Sequence, residues 1–244
     1  MRFSVKKVEV LVFLAFFLLF AALGIWQVQR ALEKRGIEMR INARSEAPAQ
    51  SVDAAAKNWD PQQSEYRKVK VEGDFLTTGL NLIDNILVNG QPGYHVISPL
   101  KIGENGPYIL VNRGWVAQGD SRQKLPRVDV PGGGIKLEGI VRTPSALPFV
   151  ESSADSLKMD NRFNLWLYLD LEKYADESKL DILPFAMLQQ SDSGDGLLRE
   201  WPVYQARVAM HIGYALQWFA FAVIVTLIFA GIGRRRGKAA DEHE

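Results

Sequence analysis

At 244 residues the chain has room for one medium domain together with membrane anchors. Its 29 basic and 28 acidic residues leave a net charge of +1, so no bulk field marks it as a nucleic-acid binder. The absence of cysteine excludes disulfides, thiolate metal sites, iron–sulfur clusters and the c-type haem attachment, and it argues against a copper chaperone, which needs soft sulfur ligands.

The first apolar run spans Val10 to Ile25, extends to Val28 across Trp26 and Gln27, and is preceded by Arg2, Lys6 and Lys7. Ala22-Leu23-Gly24 could pass as a signal-peptide cleavage site. Against cleavage, Trp26-Gln27-Val28-Gln29-Arg30 continues the helix unbroken, and tryptophan suits an interfacial anchor. The reading is a cytoplasmic N-terminus over residues 1–8 and a retained transmembrane helix over 9–28. The helix runs on to about Asn42, with Gln27, Arg30 and Lys34 on one face at i, i+3, i+7. Ser45 to Asn58 is Ala/Ser/Gln-rich, interrupted by Pro48, and reads as a loop or weak helix.

Strand patterning begins at Tyr66, where Val69 and Val71 alternate with Lys68 and Lys70 up to Gly73-Asp74-Phe75. Leu80 to Val88 is a second strand, followed by turn chemistry over Asn89-Gly90-Gln91-Pro92-Gly93. Tyr94–Ile102 and Tyr108–Ala117 form a hairpin around Glu104-Asn105-Gly106-Pro107, and Ile135–Arg142 is a further strand after Pro131-Gly132-Gly133-Gly134. Pro144 to Ser156 reads as an ordered loop that tucks Phe149 inward, and Phe163 to Leu169 as a strand. Asp170 caps a short helix to about Ser178, and Ile182 to Leu188 returns as the last strand. Short strands at this spacing, split by Gly/Pro/Asn turns, indicate a mainly antiparallel α+β domain over residues 29–209, built as a small barrel or sandwich.

A second hydrophobic run covers 210–232, uncharged from Ile212 to Ile232 and followed by Arg234, Arg235, Arg236 and Lys238. That is about what a helix needs to cross a ~30 Å hydrocarbon core. By the positive-inside rule the tail, residues 233–244, is cytoplasmic and the β-rich domain lies outside. On this helix His211, Tyr214 and Trp218 fall on one stripe near the outer membrane face.

Several chemistries are tested and fail. Pro131-Gly132-Gly133-Gly134 lacks the Lys-Ser/Thr of a P-loop and precedes a strand. Asp192-Ser193-Gly194-Asp195-Gly196 lacks the closing glutamate of an EF-hand and reads as a solvated turn. The only histidines are His95, His211 and His243, and no serine lies in a nucleophile elbow, so nothing positively indicates an enzyme. Arg113 shares a strand face with Ile109, Val111 and Trp115. If that face is buried, its guanidinium needs a carboxylate or carbonyl partners, while a bulge at Gly114 would turn it outward toward a ligand or protein partner. His211 is either a headgroup-level hydrogen-bonding histidine or an axial ligand to haem iron, with Arg30 or Arg207 placed to pair a propionate.

The motifs, taken in order, resemble one family. They are Gly24-x-Trp26-Gln27-x-x-Arg30-x-x-x-Lys34, Tyr66-Arg67-x-Val69-x-x-x-Gly73-x-Phe75, Gly93-Tyr94-His95-Val96-Ile97-Ser98-Pro99-Leu100 and Leu110-Val111-Asn112-Arg113-Gly114-Trp115-Val116. Pro148-Phe149-Val150, Trp166-x-Tyr168-x-Asp170 and His211-x-x-Tyr214-x-x-x-Trp218-Phe219 complete the pattern. Their order and spacing resemble the Surfeit-locus cytochrome oxidase assembly proteins, which include the yeast Shy factor and bacterial relatives.

The resemblance implies a two-pass bacterial inner-membrane protein with both termini cytoplasmic and a periplasmic β-rich domain. It implies a non-enzymatic, chaperone-like assembly factor that helps haem a reach the catalytic subunit of cytochrome c oxidase, with haem a synthase a further candidate partner. His211 would be the haem iron ligand, with Tyr214, Trp218 and Arg30 completing the haem site. Tyr66, Arg67, Arg113, Gly114 and Trp115 are expected to be structural or partner-binding. The alternative is a membrane-tethered scaffold that stabilises oxidase assembly intermediates without touching haem. Where the family's lead-in to the histidine carries asparagine, Ala209-Met210 stand here.

Overall fold

The computed structural model describes residues 5–119, 125–144, 157–160, 163–202 and 204–241. Beyond Pro144, the loop expected to Ser156, with Phe149 and the Pro148-Phe149-Val150 motif, lies outside the described residues, as does His243. The chain divides into two units, residues 1–41 with 204–244 and residues 42–203.

The first unit is a pair of long helices, α1 at Lys7–Glu46 and α4 at Val208–Asp241. Both are long and apolar enough to cross a membrane, with mean hydropathy of 2.7 and 2.2 over their most apolar windows. Each outruns its apolar segment because the flanking residues favour helix: Ala31-Leu32-Glu33-Lys34-Arg35 continues α1, supported by the Arg30–Glu33 pair at 2.6 Å.

The least exposed positions on α1 recur every three or four residues: Val10, Phe13, Phe17, Phe20, Gly24, Gln27 and Ala31. On α4 they are Val208, His211, Ala215, Trp218, Ala222, Val225 and Phe229. This is the seam of two helices packed side by side. The contacts run antiparallel: Arg236 pairs with Glu9 at 2.5 Å, Phe13 stacks on Phe229 at 4.4 Å, and Phe20 stacks on Trp218 at 5.9 Å. A Cβ on Gly24 would lie 2.6 Å from the Phe219 ring, so the small residue permits the close approach.

The second unit opens with β1 (Gln50–Ser51), a 3₁₀ turn over Ala54–Asn58 and the one-turn helix α2 (Pro61–Ser64). Asp53 and Asp60 cap the two turns by accepting from Ala55 N and Gln62 N. Six strands and a helix follow in pairs that the alternation anticipates: β2 (Lys68–Phe75), β3 (Leu80–Val88), β4 (Gln91–Ile102), β5 (Tyr108–Ala117) and β6 (Ile135–Arg142), then α3 (Leu171–Ser178) and the last strand at Ile182–Gln189. Between β6 and α3 lie β7 (Leu157–Asp160) and β8 (Phe163–Trp166), so the last strand is β9. The sheet order is β1-β2-β6-β9-β5-β4-β3-β8-β7, with an additional β2–β4 pairing.

That extra pairing closes β2, β4, β5, β9 and β6 into a five-stranded barrel. Every contact in the ring is antiparallel except β5–β9. The connectivity is that of the five-stranded Greek-key barrel of the OB type, and such a fold fixes no function by itself. The alternation expectation of barrel or sandwich thus resolves to a barrel. β3, inserted after β2, pairs in parallel with β8, inserted between β6 and β9.

Two boundaries differ from expectation. The turn after β3 is only Asn89-Gly90, both at positive φ (50° and 77°), which is a two-residue hairpin loop. Gln91, Pro92 and Gly93 already belong to β4; Pro92 sits opposite Leu87, and its carbonyl accepts from Gln118 N at 3.1 Å. β8 ends at Trp166 rather than Leu169.

The barrel interior holds Val69, Val71, Phe75, Leu100, Ile109, Val111, Leu137, Val141, Leu183, Phe185 and Met187. Inside this seam, at the β2–β4 junction, Gly73 faces the next strand so closely that a Cβ would overlap the Lys101 carbonyl oxygen. Gly73→Ala should therefore cost about 3 kcal/mol, the upper range for overpacking. Gly132→Ala, whose Cβ meets nothing, should stay within about 0.5 kcal/mol. Thermal unfolding of both full-length variants in detergent checks the difference.

Candidate functional site

Besides the Arg236–Glu9 pair, the two helices share a polar contact between His211 and Gln27. His211 Nδ1 lies 2.9 Å from Gln27 Oε1, with His211 half-buried and Gln27 9% exposed. An amide oxygen only accepts, so Nδ1 carries the proton in this arrangement, and the neutral ring then has its lone pair on Nε2. Trp218 lies on the same face as His211, but its ring is committed to Phe20 and, edge-on at 5.8 Å, to Phe221. Tyr214 stands beside that face and is 48% exposed. Arg30 is one turn beyond Gln27 and holds Glu33 rather than any residue of α4.

The Arg-Gly-Trp motif of β5 is placed in the other unit. The β4–β5 register shifts between Val96 and Ile97, leaving Arg113 as the extra residue of a bulge before Gly114 (φ 142°). The bulge does not turn the side chain outward. Arg113 follows Ile109 and Val111 inward, is fully buried, and places its guanidinium 5.2 Å from the Phe75 ring. Its Nη2 donates to Asp195 Oδ2 at 2.9 Å and to the Asp129 carbonyl at 2.8 Å. Arg199 Nη2 donates to the other Asp195 oxygen at 2.6 Å. Asp195 therefore is not part of a solvated turn: it is 5% exposed and shared by two guanidinium groups.

Burial lowers the Arg113 pKa, and the Asp195 contact opposes that. Burial pushes the Asp195 carboxyl up, but the bonds from Arg199 and Arg113 outweigh it and hold the group below its ordinary value. A Cβ on Gly114 would lie 2.9 Å from the Leu198 carbonyl oxygen, which accepts from Trp115 N at 2.7 Å. Trp115 Nε1 donates to the Ile86 carbonyl at 3.0 Å. Tyr66, at φ 66°, donates its N–H to Val141 O and lies under Arg142 at 4.5 Å, while Arg67 holds Gln50 at 2.5 Å. These contacts bind strand ends together.

A groove of about 620 Å³ lies along the outer face of β4, β5 and β9 and is lined by His95, Ile97, Asn112, Arg142, Tyr168 and Leu188 among others. The His95 ring meets Trp201 edge-on at 5.3 Å, and burial pushes its pKa down to about 4. Among the described residues no cluster of three or more His, Asp and Glu could hold a metal ion.

Sequence reasoning placed Gln27 on a polar face of α1 but not opposite His211, and it missed Asp195 and Arg199. Both partnerships join residues far apart in the chain, which no local pattern reveals. Residues 14–223 match the model of the SURF1 family. A SURF1-like protein of Rickettsia felis is 28% identical over 235 residues, covering 90% of this chain and 94% of that protein. A second, from Rickettsia conorii, is 28% identical over 251 residues, covering 96% and 94%. Surfeit locus protein 1 of Mus musculus is 27% identical over 225 residues, covering 85% of this chain and 70% of the mouse protein.

The two-to-one arrangement at Asp195 sets an order of costs. Asp195→Asn removes the charge shared by two buried guanidinium groups and should cost about 3–5 kcal/mol. Arg113→Met keeps the volume and leaves Asp195 with Arg199, so it should cost about 1–2 kcal/mol. Denaturant unfolding of the two variants gives the order directly.

His95 supplies a pH dependence. Its folded pKa lies below the ordinary 6.5, so the unfolded chain binds more protons between about pH 4 and 6.5. Its neutral burial therefore contributes stability that is complete above pH 6.5 and is lost as pH falls toward 4, to a maximum of about 3 kcal/mol. Thermal unfolding at pH 6.5 and 5 should show the loss, and His95→Phe should flatten it.

Proposed function

The chain belongs to the SURF1 family, and from that premise we propose that it is an assembly factor for a haem–copper cytochrome c oxidase, with His211 as the residue that takes the iron of haem a on its way to the catalytic subunit. It acts by binding and presenting its cargo, not by catalysing a reaction. The observation that carries the reading is the Gln27–His211 hydrogen bond, which leaves Nε2 of the imidazole unengaged by Gln27 at one end of an apolar helix pair.

The surrounding residues fit a flat, mostly apolar cargo with acidic edges. Ile212, Tyr214 and Leu216 present exposed apolar surface on α4 next to His211. Arg30, 43% exposed, is within one turn of Gln27 and would exchange its Glu33 partner for a propionate carboxylate. Haem a contributes the iron that an imidazole nitrogen ligates. The basic residues Lys6, Lys7, Arg234, Arg235 and Lys238 sit at the opposite ends of the two helices from His211. Read by the positive-inside rule, this distribution supports a His211 on the periplasmic side of a bacterial inner membrane. The partners are the oxidase catalytic subunit and, as the source of cargo, haem a synthase.

His211→Ala leaves an apolar, helix-favouring residue, so the helix pair and barrel should still form. Purified full-length protein in detergent, titrated with haemin, should lose most binding or change its axial-ligand spectrum in this variant. Oxidase maturation should fall with it. A variant that accumulates normally and binds haemin with an unchanged spectrum would overturn the ligand role and favour a scaffold that holds assembly intermediates without touching haem.

A further inference from the structure

We propose that Gln27 is the positioning residue for His211: by accepting the Nδ1 proton across the helix seam it holds the imidazole in the tautomer whose Nε2 is free to ligate metal. The inference rests on the reading of His211 as a haem ligand and adds to it a residue on the other helix.

The geometry is specific. Gln27 lies on the packed stripe of α1, between Gly24 and Ala31, and is almost wholly buried. The small residues Gly24, Ala31 and Ala215 bring the two backbones close, so the amide reaches the ring without extending into solvent. The nearest cation on α1, Arg30, is turned to Glu33 and does not compete for the amide oxygen. An unpartnered amide buried in an apolar seam is costly, and His211 Nδ1–H at 2.9 Å is the partner recorded for it. The ring is thereby fixed in both tautomer and rotation. Metal-bound histidines commonly donate their second N–H to a carbonyl or carboxylate, which orients the ring and raises its basicity. Gln27 fills that role with a neutral amide.

In free neutral imidazole side chains neither nitrogen is held, so the tautomer is a readout that packing alone does not set. The chain has only three histidines, and His211→Ala identifies the signal of interest. The experiment uses full-length protein in detergent with Gln27→Leu, Gln27→Glu and His211→Ala. Three quantities are measured: the ¹⁵N imidazole spectrum without haem, haemin affinity, and the midpoint potential of the haemin complex.

Wild type should show the Nδ1–H tautomer. Gln27→Leu should lose it and bind haemin about 10–100-fold more weakly. Gln27→Glu should keep the affinity and lower the midpoint potential, because a carboxylate makes the ring a stronger donor. Helix content by circular dichroism, together with the Glu variant, separates a positioning loss from a failure of the helix pair to form. An Nε2–H tautomer in wild type would overturn the proposal, as would a Leu variant with unchanged affinity and potential. If His211→Ala loses haemin while both Gln27 variants match wild type, ligation stands and positioning falls. If His211→Ala binds haemin as wild type does, the ligation reading itself falls, whatever the tautomer.

Discussion

A polar side chain buried between two apolar helices has few places to put its hydrogen bond, and the helix pair answers that constraint at one point. Gln27 and His211 satisfy each other across the seam, so each offsets the cost of placing the other there. The contact also fixes which residues of the two helices lie level. Aromatic stacking of Phe13 on Phe229 and Phe20 on Trp218 is compatible with small slips along the seam, whereas a hydrogen bond between two short polar groups is not. A buried polar pair used in this way trades some stability for a single register, the best-attested use of such groups.

The barrel contains the counterpart. Arg113 ends an inward-facing row of Ile109 and Val111, where an apolar residue would complete the core. The guanidinium stays charged there because Asp195 and the Asp129 carbonyl accept from it and the Phe75 ring lies against it. Its Nε and Nη1 find no acceptor among the described residues, so the site is held by one strong edge of the fork rather than by full satisfaction. The bulge and Gly114 are what let β5 make this turn of direction: a side chain at Gly114 would meet Leu197 and Leu198, and the Trp115–Leu198 bridge that ties down the Asp195 loop would be lost. The Arg-Gly-Trp sequence is thus one device, with the arginine as the ion pair, the glycine as the clearance and the tryptophan as the strap.

The local parts of this structure were legible in the sequence for plain reasons. β3 and β6 begin and end where the apolar alternation begins and ends, and Asp170 caps α3 through Lys173 N as a helix of that composition requires. Parallel neighbours were not legible. β5 lies beside β9, and β3 beside β8, through long connections that leave no turn signature between them. The same holds for the sites. The histidine stood out because an imidazole at a helix mouth is rare, and the arginine because it sat on an apolar strand face. Their partners were ordinary residues in ordinary places: a glutamine in a long, mostly apolar helix and an aspartate in a Gly/Ser/Asp loop. A loop of that composition is usually solvated, and only the register of β5 against it puts a charge there.

The choice of an amide opposite His211 bears on what the helix pair can do. A carboxylate at position 27 would bring a charge into the apolar seam. An aliphatic residue would leave the ring free to rotate and exchange tautomers. Glutamine accepts the Nδ1 proton and fixes the ring's orientation without bringing a charge into the seam. Ala209-Met210, directly before the histidine, offer no polar side chain. The polar support therefore comes from the opposite helix, and its strength depends on how closely α1 and α4 pack. With the support on the other helix, anything that parts α1 from α4 near Gly24 would break the Gln27–His211 hydrogen bond at the same time.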